Sequence, residues 1–217
     1  MPTNIVPTIR PKNMIMSGSR EVLSKAVRYS THLCGCHQAA PRDVIELGAY
    51  LENPDNELVL KQDKEGLSFT LKYLPESYLQ ALDPTTSAQP AQAVSAAPTV
   101  AVFKLRLQSQ DSRASLPALF QQASPLLSAD EQQNQLFYHM AEAAHLQLGN
   151  QQLRPLAAHV EMSPHREQYV DIIFTFSMGK SAMREASEAV FVLDRAFFIT
   201  EPVRFVFATE NILAIAS

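Results

Sequence analysis

Between Tyr169 and Met178 the sequence reads YVDIIFTFSM and alternates, with Ile172, Phe174 and Phe176 on one side. The same period runs through VAVFKLRLQ, where Phe103, Leu105 and Leu107 share one face and Lys104 and Arg106 the other. It recurs in LSFTLKYL, where Leu67, Phe69, Leu71 and Tyr73 alternate with Ser68, Thr70 and Lys72. Successive side chains of a strand point to opposite faces, so this pattern demands strands with one face on a core and one towards solvent. Such half-buried strands belong to antiparallel sheets; parallel sheets bury both faces and read as continuous apolar runs.

Shorter runs extend the same reading. ELVLKQ precedes LSFTLKYL across Asp63-Lys64-Glu65-Gly66 and predicts a hairpin. AVFVL, AFFIT, VRFVF and NILAIA follow the long C-terminal strand, separated by Asp194-Arg195, Glu201-Pro202 and Glu210-Asn211. Helices are expected elsewhere. Ser19 can cap one running to about Leu33, and Pro41 can open a second that Asn53-Pro54 stops after Leu51. A short helix can follow Pro75, and two more follow the VAVFKLRLQ strand. The second of these opens on the capping box Ser128–Glu131 and is expected to end at Gly149-Asn150, with Leu136, Phe137, Met140, Ala144 and Leu148 as its core stripe.

Helices in one block and strands in another predict an α+β fold rather than alternating β/α units. Residues 83–98, DPTTSAQPAQAVSAAP, contain three prolines and no aromatic side chain and read as a linker. The expected organisation is therefore a helix-helix-hairpin module over 1–82, a linker over 83–98, and a mainly antiparallel sheet module with two helices over 99–217.

Composition narrows the chemistry. The six glycines, at 18, 35, 48, 66, 149 and 179, are too scattered for a phosphate-binding loop or a dinucleotide fingerprint, which need clustered glycines for close backbone approach. The nucleophile-elbow and His-Glu-x-x-His spacings do not occur. No apolar run reaches the length of a membrane span, the N-terminus lacks a signal-like apolar run, and the two cysteines form no disulfide framework. The expectation is a cytoplasmic protein, without membrane contact and without an implied cofactor.

The densest reactive cluster is His32-Leu-Cys34-Gly-Cys36-His37. Two thiols and two imidazoles could ligate zinc or copper, or cycle as a Cys-x-Cys redox pair. The favoured reading is a helix end, with Cys34 buried, Gly35 as cap, and the histidines beside the negative helix C-terminus. His139, Glu142 and His145 fall on one side of the predicted helix, opposite its apolar stripe. Glu142-Ala-Ala-His145 matches one element of a di-iron bundle, but such a site needs two, so a solvated face is expected. His159 and His165 are isolated.

Charge is unevenly spread. Residues 1–42 carry six Lys or Arg against one acid, and residues 43–83 carry three against nine. Arg20, Lys25 and Arg28 on the first helix could meet phosphates, but Asp43, Glu46 and Glu52 on the second would repel them, which disfavours nucleic acid. The function expected is a non-enzymatic protein-protein interaction or assembly subunit, with a protein partner or a homo-oligomer. Pro2, Pro7 and Pro11 suit an extended docking arm, and Ile212, Leu213 and Ile215 suggest a terminal strand, apolar on both faces, against another subunit. The alternatives are a metal- or thiol-dependent protein using His32, Cys34, Cys36 and His37, and a nucleic-acid-binding regulator using the basic first helix.

Overall fold

A computed structural model of the chain describes residues 44–82, 99–161, 163, 165 and 167–215. Helix α1 (Val44–Glu52) leads through a 3-10 turn, Pro54–Asn56, into the hairpin β1 (Val59–Lys64) and β2 (Leu67–Leu74). Glu65 and Gly66 form its two-residue turn with φ of 53° and 79°. Positive φ at both central positions matches the right-handed twist of the flanking strands. Helix α2 (Glu76–Leu82) follows, and β3 (Thr99–Ser109) then pairs antiparallel with β2 from Leu67↔Ser109 to Leu74↔Val102.

Helices α3 (Leu116–Ala123), α4 (Ala129–Tyr138) and α5 (Met140–Ala143) lead to the hairpin β4 (Ala144–Leu148) and β5 (Gln151–Leu153). Strands β6 (Ala157–Glu161) and β7 (Tyr169–Met178), helix α6 (Lys180–Glu185), strands β8 (Glu188–Leu193) and β9 (Val203–Ala208), and helix α7 (Thr209–Ile215) complete the order. Among the described residues the strands form two antiparallel sheets, ordered β1-β2-β3-β7-β6 and β5-β4-β8-β9. The class is α+β, as the strand patterns predict. Among the described residues no helix is long and apolar enough to cross a membrane.

The two sheets meet through aromatic side chains that the alternation turns inward. Phe103 of β3 lies 5.9 Å from Phe191 of β8 and 5.4 Å from Phe207 of β9, and Phe174 of β7 lies 5.2 Å from Phe191. Behind them runs the cross-strand file Leu60, Leu71, Leu105, Ile172 and Val160, one residue per strand. On the opposite face the register lines up Lys61, Thr70, Arg106, Asp171 and Glu161. One side of the pair of sheets is closed by side chains between the edge strands: Gln62 of β1 donates to the Arg204 carbonyl of β9, and Lys64 pairs with Glu201 at 3.0 Å. The Glu65 carboxylate accepts from the Thr200 amide at 3.1 Å.

Four expectations need correction. Strands from both sides of residues 83–98 pair in one sheet and share one core, so that segment joins parts of one fold rather than two modules with separate cores. The expected helix over 128–148 stops at Tyr138, and residues 144–148 form β4, because Leu146 and Leu148 turn inward at period two while Gln147 between them faces outward. Gly149-Asn150 is consequently a hairpin turn, with φ of 57° at Gly149. AFFIT is a turn rather than a strand, which drops Phe198 into the core against Phe69 and Phe120. Residues 211–215 of NILAIA belong to the helix α7, whose i, i+3 spacing buries Ile212 and Ile215 on one face.

Candidate functional site

The side away from the β1/β9 seam is built differently. Among the described residues β6 is the edge of its sheet there, and α3 and α4 lie beside it. Ser115 opens α3 by accepting from the Ala118 amide, and the capping box opens α4, with the Ser128 amide donating to Glu131 Oε2 at 2.8 Å and the Glu131 amide to Ser128 Oγ at 3.3 Å. These bonds satisfy amides that a helix start otherwise leaves without partners. Donation from the Ser128 amide and hydroxyl holds the Glu131 carboxyl below the usual carboxylate range. The buried Gln132 locks the corner between the helices, its amide nitrogen donating to Gln121 Oε1 at 3.2 Å and to the Leu127 carbonyl at 3.1 Å.

Between these helices and β6 lies a cavity of about 480 Å³. Its apolar wall is Phe120, Leu136, Phe137, Val160 and Val170. Gln121, Gln133, Glu161, Ser163 and Glu167 supply polar groups at its margin. The Leu116 amide donates to the Glu167 carbonyl at 2.9 Å, tying the β6–β7 connection to the start of α3. A volume of this size, mostly apolar with a few convergent polar groups, is what ligand and side-chain pockets offer.

Glu161 is also the end of an ionic row on the outer face of the sheet. Arg106 grips Asp171 in a bidentate pair, Nε to Oδ1 at 2.7 Å and Nη2 to Oδ2 at 2.8 Å, and lies 4.3 Å over the Tyr169 ring. Lys104 bridges Asp171, at 3.0 Å, and Glu161. Burial alone would raise the Asp171 carboxyl, but hydrogen bonds from Arg106 and Lys104 outweigh it and hold the group below its ordinary value.

A second polar chain crosses the outer face of the other sheet. His145 of β4 is buried, its Nδ1 lies 3.6 Å from Asp194 Oδ2, and its Nε2 lies 3.2 Å from Gln147 Nε2. Arg204 of β9 donates to Gln147 Oε1 at 3.1 Å. Burial pushes the His145 imidazole down, Asp194 opposes this, and Arg204 and Arg195 add to it.

Only some of the residues singled out in the sequence fall among the described residues. His32, Cys34, Cys36, His37, Arg20, Lys25 and Arg28 lie outside the described residues. His139 and Glu142 stand 3.6 Å apart, but His145 belongs to a strand and faces Asp194 instead, so the expected solvated trio does not form. Among the described residues no group of three His, Cys, Asp or Glu could hold a metal ion. Ile212 and Ile215 are buried in the chain's own core and Leu213 packs half-buried against it, so the terminal strand assigned to an interface is replaced by an internal helix. His159 sits exposed on β6. The cavity itself was hidden from sequence reasoning because its wall comes from four separate elements; the capping box at Ser128 and the alternation from Tyr169 to Met178 pointed to two of them, but nothing in the sequence brought them together. No family model, no curated protein and no solved structure matches the chain.

Proposed function

We propose that the chain is a protein-interaction or assembly subunit, and that the cavity between α4 and β6 receives an extended apolar segment of a protein partner or of another copy. The observation that carries this reading is the cavity's position, directly beside the edge strand of the five-stranded sheet. An edge strand can pair with an incoming strand through its backbone, while pockets alongside take alternate side chains. The sequence of β6, Ala157-Ala158-His159-Val160-Glu161, has one charge, at its last position. The opposite edge, β1, has Lys61, Asp63 and Lys64 and is stapled to β9. Charges on an edge discourage pairing, so β6 is the more receptive of the two. Leu126, Tyr138 and Leu156 stand largely exposed on the α3–α4 turn, at the end of α4 and just before β6.

Burying one large apolar side chain contributes about 2 kcal/mol, or roughly thirtyfold in affinity. Glu167 at the margin favours a basic residue next to that anchor. The test is selection of peptides from a displayed random library on the full chain, followed by binding to an Ala129→Trp variant. Ala129 is exposed on the first turn of α4 and lines the cavity, so the indole fills it without disturbing the core. Selected peptides should carry a large apolar anchor and lose binding at least tenfold to the variant, whose thermal stability should match the wild type. Peptides that bind both proteins equally would refute the reading.

A further inference from the structure

Arg204 has only donors, so the Gln147 side chain must turn its oxygen towards it, as the 3.1 Å contact records. That orientation aims the Gln147 amide nitrogen, itself a donor, at His145 Nε2. His145 Nε2 must then accept, which places the ring proton on Nδ1, facing Asp194. The His145–Gln147 and Gln147–Arg204 contacts are both matched only while His145 Nε2 carries no proton, with Asp194 3.6 Å from Nδ1. A second proton on the ring would set two donors against each other at 3.2 Å, and rotating the Gln147 amide would merely move the clash to Arg204.

Arg204 has a second role. Its carbonyl accepts from Gln62 of β1, a link between the edges of the two sheets. From this geometry we infer that His145, Gln147 and Arg204 form a proton-sensitive latch, which clamps β9 when His145 is neutral and loosens the β1/β9 seam when His145 is protonated. The charged groups acting on the ring are Asp194, which favours the proton, and Arg204 and Arg195, which oppose it. Burial opposes it further. With the folded imidazole pushed below the ordinary histidine value of about 6.5, the latch contributes fully above that value and is lost as pH falls beneath it.

The test is amide hydrogen exchange of residues 203–208 in the full chain at about pH 7.5 and about pH 5.5, corrected for intrinsic rates, with β3 amides as the reference for global opening. In the wild type, β9 protection should fall relative to β3 by up to about tenfold per pH unit, the limit for one linked proton. His145→Gln should abolish the response, and Asp194→Asn should move it to lower pH. An unchanged β9 in the wild type, or a His145→Gln protein that keeps the response, would overturn the latch. Nitrogen NMR of His145 decides the matter without a variant. The Nδ1-protonated tautomer at neutral pH, titrating together with the β9 change, is expected, and the other tautomer would overturn the assignment.

Discussion

At Asp171 two cations converge on a carboxylate that is almost wholly buried. Its carboxyl is held below the ordinary range, so its stabilising contribution is present at neutral pH and is lost as pH falls through that lowered range. Replacing Asp171 with Asn should cost about 1–3 kcal/mol at neutral pH, measured by urea unfolding, and the difference from wild type should shrink in acid. A loss that stays constant with pH would contradict the ionic account. The sequence put Lys104 and Arg106 on one face, but Asp171, two residues into another strand, could be matched to them only through the β3–β7 register. His145 was misplaced for a related reason. Met140, Ala144 and Leu148 fit a helical stripe, while Leu146 and Leu148 with Gln147 between them fit a strand, and the short segment satisfies both periods.

Elements were legible where the pattern ran long or the turn chemistry was specific. The β2, β3 and β7 alternations, the hairpin expected across Asp63–Gly66, whose turn narrows to Glu65-Gly66, and the Ser128 capping box stand in the structure. Short apolar runs were ambiguous, and α7 is the clearest case. Ile212, Leu213 and Ile215 suggested a strand apolar on both faces, whereas a helix puts Ile212 and Ile215 together and leaves Leu213 half-buried beside them. Ile212→Ala should therefore destabilise by about 2–5 kcal/mol and leave the oligomeric mass by light scattering unchanged. A folded variant of lower mass would return the residue to an interface. At the β4–β5 turn, Gly149 has φ of 57°, and an added Cβ would meet nothing closer than Ala186 Cβ at 3.9 Å. Gly149→Ala should thus cost about 1–2 kcal/mol in thermal unfolding, through backbone conformation rather than crowding. No loss would show that the turn relaxes freely.

For the whole molecule, the composition of residues 83–98 suggested a division that the β2–β3 pairing does not respect. Composition reports only that a segment has little to bury; it does not report whether its flanks meet. A protease site introduced between 83 and 98 should, once cut, leave two pieces that co-elute and unfold together, whereas separation into two folded fragments would restore the two-module organisation. The central claim is that β6 and the cavity under α4 accept an extended segment of a partner. Hydrogen exchange on the full chain with and without a peptide selected on it addresses this most directly. Strand addition predicts that amides within 157–161 slow on binding while those of β1 and β5 do not change. Protection that appears at β1 or β5 and leaves β6 unchanged would contradict it.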